Sequence, residues 1–488
     1  MTPTDPVIAD RSAGVALAAA AGDAIGAPHE FRGPLDEAAE LRMTGGGIYG
    51  WKPGEWTDDT QMTLALLAPL STGNRHVEAV EEAFLAWFAS GPRDVGSQTS
   101  MVLSAGPPLH ESAAAFQRAR PDNAPNGGLM RIGAAALSYP GKPEQIAAYA
   151  RTTTELTHAH IDCVDASVIW AVAIDHTIHG APGPDEPWDF AEALRGALLH
   201  LQKARRSWWA QLIDEACERP PVDFHENNGW VVNAFQTALS AVVRTPIPDG
   251  AAPCGHLVAA IGAAVRSGGD TDTVGAIAGT LLGARWGATA VPIAWTSMLR
   301  GKRLYGKPDL RASDLDAMAR RAAKGGKSDQ IGWPGRVHLT PYYLERFPAR
   351  PATVALGGVQ FGGVSGLDAA VQSGVDVVVS LCRMGTKDVP DRTEHRVIGL
   401  VDGGPQDNPN LAFVLADTAD FIATRVAGGH KVYVHCVVAE NRTPTVAATF
   451  LARHRGMAVA EALSTVESAL GHRPSPVFAD GVRRAATL

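Results

Sequence analysis

Two short acid-rich motifs, far apart in the sequence, could carry chemistry. The first is WTDDTQ at 56–61, and the second is SGGDTDTVG at 267–275. Each stands directly before an apolar helical pattern, so each could simply cap a helix, because Asp, Ser and Thr accept hydrogen bonds from free N–H groups there. A cap needs one oxygen, however, and neighbouring carboxylates repel one another unless a cation lies between them. The paired acids therefore predict a metal site.

The donor atoms of these motifs select a hard cation. Carboxylate and hydroxyl oxygens, with no Cys or His beside them, favour Mg²⁺, Mn²⁺ or Ca²⁺ over Zn²⁺. Four aspartates could hold two ions, and two ions ~3.5–4 Å apart suit hydrolysis. We expect Gly268 and Gly269 to let the backbone approach the metal and the substrate closely.

A cysteine in the last part of the chain has the spacing of a phosphate-binding loop. A strand-like run ends at Cys436, and after five further residues Arg442 and Thr443 begin a helical pattern. A loop that ends at a helix N-terminus presents N–H groups to an anion, and Arg442 could bind phosphate through two parallel hydrogen bonds. These surroundings favour the nucleophilic thiolate of Cys436, to which Thr443 could donate. The alternative is a cysteine buried at a strand end.

The patterning that must position these motifs changes along the chain. Up to about residue 325, apolar residues recur at three-to-four spacing and predict helices, as over 59–70 and 273–287. Later, β-branched apolar runs predict strands separated by helices, which is typical of a parallel sheet. These runs lie at 352–358, 375–383, 395–402 and 431–437.

A Gly/Lys stretch at 322–330 separates the two patterns and would suit a linker. We therefore predict two domains, an all-α domain over residues 1–325 and an α/β domain with a mostly parallel sheet over 331–488. Each is long enough to bury a core of its own.

The composition limits the partners and the compartment. The 488 residues carry 43 basic and 51 acidic side chains, a net charge of −8, which argues against a nucleic-acid partner because such a partner needs a basic face. No apolar run reaches the ~18–20 residues of a membrane span, and the N-terminus has no signal-peptide pattern. The five cysteines are scattered and never spaced C-x-x-C, which argues against disulfides and structural zinc. We expect a cytoplasmic protein.

Five motifs occur in the order found in the ADP-ribosylglycohydrolase family, which the chain resembles over about residues 10–320. They are GVALAAAAGDAIGAPHEF, WTDDTQM, NGGLMRIGAAAL, THAH and SGGDTDTVGAIAGTLLGA. The resemblance implies an all-α fold with a two-Mg²⁺ centre that cleaves a glycosidic bond to ADP-ribose on a protein or small molecule. It implies these metal ligands: Thr57, Asp58, Asp59, Asp270, Asp272 and Thr273.

The same resemblance gives roles to residues outside the acid motifs. Glu30 aligns with a glutamate near the reacting ribose, and Glu30 or Asp59 would activate the attacking water; the alternative for Glu30 is a solvated loop acid. The resemblance also implies a set that binds the ligand, its diphosphate in particular: Asn126, Gly127, Gly128 and His158. An ordinary Asn-Gly turn and a capping or packed histidine are the alternatives for this set.

The stretch HCVVAENRT resembles the signature H-C-x5-R-[S/T] of the cysteine-dependent dual-specificity phosphatases. This implies a phosphocysteine intermediate at Cys436, a phosphorylated substrate, and a general acid at Asp402 or, alternatively, Asp407. Two residues depart from the pattern, since Ala439 replaces the usual glycine and Glu440 adds negative charge. We therefore predict a bifunctional hydrolase. The alternative is that the α/β domain only binds a phosphorylated group and targets the glycohydrolase.

Overall fold

The computed structural model describes residues 6–347 and 353–488, and the chain is helical up to residue 323. The helices are α1 (Pro6–Gly26), α2 (Asp58–Leu70), α3 (Val77–Ala89), α4 (Ser97–Ala105), α5 (Leu109–Ala119), α6 (Pro143–Glu155), α7 (Ile161–Gly180), α8 (Phe190–Ala197), α9 (Lys203–Glu218), α10 (Val231–Arg244), α11 (His256–Arg266), α12 (Thr271–Trp286), α13 (Ile293–Met298) and α14 (Ala312–Ala323). A short antiparallel pair joins β1 (Arg300–Gly301) to β2 (Leu310–Arg311). We call residues 6–330 the helical part.

Helices α1 and α12 lie in antiparallel contact at the centre of the helical part. Every residue of α12 is buried, as is α1 from Asp10 onward, so both helices are apolar on nearly all sides. A Cβ on Gly22 would overlap the carbonyl group of Gly275, and the same holds for Gly283 against Gly14. Only glycine permits this approach. The packing brings the end of α1 beside the start of α12, where the second acid motif stands.

The rest of the chain, residues 331–347 and 353–488, is the α/β part. Its elements are α15 (Thr340–Arg346), β3 (Val354–Leu356), β4 (Val359–Gly363), α16 (Leu367–Gln372), β5 (Val377–Ser380), β6 (Glu394–Val397), α17 (Leu411–Ala427), β7 (Val432–Cys436), α18 (Arg442–His454), α19 (Val459–Leu470) and α20 (Pro476–Ala485). The strand order is β3-β4-β7-β5-β6, with β3 antiparallel to β4 and the other pairs parallel. The predicted α/β fold with a mostly parallel sheet is confirmed.

One predicted strand is wrong in detail. The run at 352–358 begins at Ala352, outside the described residues, and then forms β3, a turn and the start of a hairpin rather than one strand. Gly357 and Gly358 have φ of +57° and +87°, the conformation that closes a two-residue hairpin. The prediction therefore ran through the turn and missed β4.

The two parts of the chain are in contact beyond the predicted linker. Helix α14 extends into that stretch, ending at Ala323. Beyond it, the guanidinium of Arg383 pairs with Asp329 at 2.6 Å. Ile293 of α13 packs into the core of the α/β part, and its N–H donates to Asp417 of α17 at 2.7 Å. The domain boundary, including residues 1–5 and 348–352 outside the described ranges, stays a prediction. Among the described residues, no helix combines the length and apolar character needed to span a bilayer.

Candidate active site

Asp23, near the end of α1, holds the start of α2. Its carboxylate accepts hydrogen bonds from the N–H of Thr57 at 2.9 Å and from the N–H and hydroxyl of Thr60 at 3.1 and 2.6 Å. Burial raises the pKa of Asp23 to about 6, although these hydrogen bonds oppose the rise. Asp23 lies within the first family motif, but its role was missed because its partners come from another helix.

The first acid motif meets the second at Asp59. Thr57 caps α2, as the capping interpretation predicts, and its hydroxyl accepts the N–H of Asp59 at 3.4 Å. The hydroxyl of Thr273 donates to Oδ2 of Asp59 at 3.3 Å. The other carboxylate oxygen of Asp59 is buried and has no hydrogen-bond partner among the described residues. Such an orphaned acceptor is expected where a cation completes the site.

The second acid motif brings two aspartates beside Glu30. Carboxylate oxygens of Glu30, Asp270 and Asp272 lie within 4.8 Å of one another. Asp270 stands at the N-cap position of α12 and accepts a hydrogen bond from Nδ2 of Asn126 at 2.7 Å, while its N–H donates to Asn228 at 2.8 Å. Capping alone does not account for three acids at this separation.

The loop after α1 positions Glu30 by pairing with the second motif. The N–H of Phe31 donates to the carbonyl of Gly269 at 2.7 Å, and the N–H of Gly269 donates to that of Arg32 at 2.8 Å. Gly269 has a φ of +76°, where glycine is favoured, and a Cβ there would overlap the side chain of Asn228. Glu30 is buried, and its Oε2 has no hydrogen-bond partner in the described chain. It is therefore not a solvated loop acid.

Asp94, in the loop before α4, adds a carboxyl group that the sequence analysis missed. It lies beside the hydroxyl of Tyr49 and the carboxyl group of Asp58. Burial, more than the neighbouring charge of Asp270, raises the pKa of Asp94. A single aspartate in a Gly/Pro-rich loop carries no spacing signal, so only the fold reveals it.

A chain of hydrogen bonds fixes the proton on His158. Arg131 donates from Nη2 to the hydroxyl of Thr157 at 2.6 Å and from Nη1 to the carbonyl of Gly127 at 2.8 Å, and the Thr157 hydroxyl lies 2.8 Å from Nδ1 of His158. A guanidinium can only donate, so the hydroxyl proton of Thr157 is free to donate to Nδ1, and the neutral imidazole then carries its proton on Nε2. Burial and Arg131 lower the pKa of His158 well below its usual range. Its Nε2 lies 3.0 Å from where a Cβ on Gly127 would stand, so a neutral N–H donor faces the turn at 126–128.

In the α/β part, a loop of five residues leads from Cys436 to Arg442 at the start of α18. Cys436 is the last residue of β7 and is buried. Ala439 has a φ of +56°, a left-handed conformation that costs an alanine roughly 1–2 kcal/mol. The loop thus adopts, at a conformational cost, a backbone for which glycine is usual.

Arg442 brings the candidate general acid to this loop. Its Nη1 donates to the carbonyls of Leu381 and Leu400 at 2.7 and 3.3 Å, and its Nη2 lies 3.4 Å from the carboxylate of Asp402. Asp402 also accepts a hydrogen bond from Nδ2 of Asn441 at 2.9 Å. The fold therefore places Asp402 beside the residues that would bind phosphate.

Two other residues predicted for this site make different contacts. The carboxylate of Asp407 accepts the N–H of Gly404 at 2.8 Å and caps a 3₁₀ turn, so it serves the loop backbone. The hydroxyl of Thr443, which was expected to donate to the sulfur of Cys436, donates instead to the carbonyl of Gly362 at 3.2 Å. The hydroxyl proton of Thr443 therefore bonds to a carbonyl of β4 instead of the sulfur of Cys436.

A buried pair of histidines lies under the cysteine loop. The hydroxyl of Ser380 lies 2.7 Å from Nε2 of His435 and 2.9 Å from Nε2 of His395, and Nδ1 of His435 is 3.2 Å from the carbonyl of Cys436. Burial lowers the pKa of each histidine to about 4. Both are therefore neutral at pH 7. His395 could not be found from its position in the chain, because β6 and β7 are neighbours of β5 only in the folded sheet.

A model of the ADP-ribosylglycohydrolase family matches residues 4–330. The chain belongs to the ADP-ribosylglycohydrolase family. Membership indicates a hydrolase. The match ends at the stretch between the helical and α/β parts.

Curated relatives are similar to this family member over about three-fifths of the chain. The ADP-ribosyl-[dinitrogen reductase] glycohydrolase of Rhodospirillum rubrum is 31% identical over 307 residues, which is 61% of this chain and 92% of the relative. The ADP-ribosylarginine hydrolase Tri1 of Serratia proteamaculans is 24% identical over 59% of this chain and 75% of its own length. The ADP-ribosylhydrolase ARH3 of Bos taurus is 26% identical over 62% and 92%.

Solved structures match each part separately. An ADP-ribosylglycohydrolase-related protein complex is similar with a TM-score of 0.51 and 26% identity, over 65% of this chain and 99% of that chain. Human DUSP28 is similar with a TM-score of 0.26 and 19% identity, over 28% of this chain and 96% of that chain.

The acidic centre of this ADP-ribosylglycohydrolase fits a hard divalent cation. Burial first, and then repulsion between neighbouring carboxylates, raises the pKa of Asp58, Asp59 and Asp272 well above the usual range. Burial and the charge of Asp270 likewise raise the pKa of Glu30 to about 9. A cation among these groups would offset both effects. The donors are oxygen atoms, and the orphaned oxygens of Asp59 and Glu30 have the lone pairs that a cation requires.

Proposed function

We propose that the helical part releases ADP-ribose from a modified acceptor by hydrolysing its glycosidic bond, with two Mg²⁺ or Mn²⁺ ions in the acidic centre. The observation that carries this proposal is the pair of buried, unpartnered carboxylate oxygens on Asp59 and Glu30. The relatives from Rhodospirillum rubrum and Serratia proteamaculans, which are named for the ADP-ribosylated dinitrogen reductase and for ADP-ribosylarginine, support an ADP-ribosylated acceptor. All five cysteines are free thiols, which supports a reducing compartment such as the cytoplasm.

The two acid motifs would hold the cations from opposite helices. The ligands would be Thr57, Asp58 and Asp59 at the start of α2, and Asp270, Asp272 and Thr273 at the start of α12. Bound cations would supply positive charge that orients the ribose hydroxyls and the attacking water. Asn126 would hold Asp270 in place through its hydrogen bond of 2.7 Å.

Two protein groups would act on the substrate directly. Glu30 or Asp59 would take the proton of the water that attacks the anomeric carbon, because each has a buried carboxylate oxygen without a hydrogen-bond partner in the described chain. The neutral Nε2–H of His158, with the N–H groups of Gly127 and Gly128, would donate to the diphosphate. The bond to the acceptor breaks as the water adds, and the acceptor leaves with a proton.

The test is to incubate the full chain with substrates ADP-ribosylated on arginine, on serine or on a nucleic-acid base, and to identify the products by mass spectrometry. We expect free ADP-ribose in Mg²⁺ or Mn²⁺, none after chelation, and recovery when the ion returns. Cys436→Ser is the matched control and should leave this activity unchanged. Full activity in EDTA would refute the metal centre, and release from no substrate would refute the glycohydrolase.

A second activity, a cysteine-dependent phosphatase, is supported by one observation in the α/β part. The carboxylate of Asp402 lies 3.4 Å from Arg442, beside the loop that begins at Cys436. The thiolate would attack phosphorus, forming the S–P bond as the ester P–O bond breaks, and Asp402 would protonate the leaving oxygen. Water would then attack the phosphocysteine, give its proton to Asp402 and release phosphate and the thiolate.

Activity in EDTA separates this phosphatase from the glycohydrolase, since a thiolate needs no ion. Cys436→Ser should abolish phosphate release, because a hydroxyl is far less ionised at neutral pH. Arg442→Lys should also be severe, because an ammonium lacks the planar fork. Asp270→Ala removes a carboxylate of the proposed metal centre and should leave phosphate release unchanged, so that variant is the control. If phosphopeptides, phosphorylated ADP-ribose and aryl phosphates are all untouched, the α/β part only binds phosphate.

A further inference from the structure

The loop that carries Asp402 is held at both ends by the helical part. At its start, a Cβ on Gly399 would stand 2.9 Å from the methyl group of Thr289, so the backbone passes directly against that residue. At its end, Nδ2 of Asn410 donates to the carbonyl of Trp286 at 2.6 Å and to the hydroxyl oxygen of Thr289 at 2.9 Å. Trp286 is the last residue of α12, and Thr289 follows it in the chain. Both anchors therefore lie outside the α/β part.

The anchor on the helical side is itself fixed. The hydroxyl of Thr289 donates to the carboxylate of Asp10 at 2.6 Å, which leaves its oxygen to accept from Asn410. Asp10 belongs to α1, and Arg320 of α14 lies 3.6 Å from the same carboxylate. Asn410 is buried, so both of its donor contacts replace hydrogen bonds to water.

Inside the loop, Asn408 binds the residue that precedes Asp402. Its Oδ1 accepts the N–H of Val401 at 2.9 Å, and its Nδ2 donates to the carbonyl of the same residue at 2.9 Å. Val401 directly precedes Asp402. Both ends of the segment from Gly399 to Asn410 therefore contact Thr289. Within this segment, Asp402 lies beside Arg442.

We propose that Asn410 is a positioning residue for the phosphatase reaction: by binding Trp286 and Thr289 it holds the Asp402 loop in the place where the acid meets the leaving group. This inference rests on the proposed role of Asp402. It means that the helical part, which carries the metal centre at the other end of α12, also sets the geometry of the second active site.

The test compares two contacts between the parts in the full chain. Asn410→Ala removes the loop anchor, and Asp417→Ala removes a partly buried contact between the parts, from α17 to the N–H of Ile293, that does not touch the loop. Asn410→Ser serves if the alanine variant does not fold. Each variant is assayed on an alkyl phosphate ester, whose departure needs an acid, and on a nitrophenyl ester, whose departure does not. Alkylation of Cys436 by iodoacetamide reports on the cysteine loop.

We expect Asn410→Ala to lower turnover of the alkyl ester by about 10-fold or more, with the nitrophenyl ester and Cys436 alkylation nearly unchanged, since general acids contribute roughly 10²–10⁴-fold. Asp417→Ala should leave the ratio of the two esters unchanged. Equal losses on both esters, or no loss, would overturn the inference.

A second measurement needs no turnover. Amide hydrogen exchange over residues 399–410 should become faster in Asn410→Ala and stay unchanged in Asp417→Ala. If the unmodified protein hydrolyses neither ester, the phosphatase proposal fails, and exchange alone then decides whether Asn410 anchors the loop. Unchanged exchange in Asn410→Ala overturns the anchoring.

Discussion

The hydroxyl of Thr273 donates a hydrogen bond of 3.3 Å to the carboxylate of Asp59, although the two residues are 214 positions apart. This contact joins the two acid motifs across the interface of α2 and α12. It depends on the close packing of α1 against α12, since Asp23 of α1 holds the start of α2. The acidic centre proposed to bind the metal is therefore formed by three helices.

Removal of one acid should weaken the whole centre. Asp270→Ala deletes a carboxylate that lies within 4.8 Å of Glu30 and Asp272, so we expect Mn²⁺ affinity to fall by about 100-fold and ADP-ribose release to fall with it. Titration calorimetry and a rate assay measure both. The exposed acid Asp249, changed to alanine, is the control and should alter neither. Lost activity with unchanged Mn²⁺ binding would contradict the ligand assignment.

Thr157→Val should disturb ligand binding through the tautomer of His158. Without the hydroxyl, Nδ1 has no hydrogen-bond donor among the described residues, and the proton is no longer confined to Nε2. We expect KM to rise by about 10-fold with a smaller change in kcat, because a lost hydrogen bond to a charged ligand is worth ~1.5–3 kcal/mol. Thr157→Ser keeps the hydroxyl and should restore KM. The same KM in the valine variant and the unmodified protein would refute this relay.

Ala439→Gly should stabilise the protein. The φ of +56° strains an alanine and suits glycine, although glycine also gains freedom in the unfolded chain. The two effects together predict a gain of ~0.5–1 kcal/mol in the free energy of unfolding, measured in urea. Ala423→Gly, inside α17, is the matched control and should destabilise by ~1 kcal/mol. A loss of stability in both variants would show that Ala439 is unstrained.

The buried histidines should make stability fall in acid. Between pH 6.5 and pH 4, an unfolded histidine binds a proton, whereas folded His395 and His435, with the pKa lowered to about 4, do not. The unfolded state binds more protons in that window, so stability rises with pH, by up to ~3 kcal/mol for each histidine. His395→Gln should flatten the dependence, measured by urea unfolding from pH 4 to pH 7. An identical slope in the variant would contradict this prediction.

The acid motifs and the cysteine loop could be found in the sequence because their residues are neighbours in the chain. Asp58 stands next to Asp59, and Cys436 and Arg442 are separated by one loop, so the spacing itself carries the chemistry. The change from helical to strand patterning was readable for the same reason, because periodicity is local. The Gly357–Gly358 hairpin was missed, since two glycines end a strand only when the chain folds back to pair.

The sequence alone therefore determined the family resemblance, the two structural classes and the residue types that could bind a cation or a phosphate. Only the tertiary structure decided which isolated residues join them: Asp94 beside Asp58, Arg131 behind Thr157, and Asn410 against Trp286. Each of these is a single polar residue with no pattern around it. Its role arises from burial, because a buried polar group must find a partner, and the partner is supplied by whichever distant helix or strand packs against it.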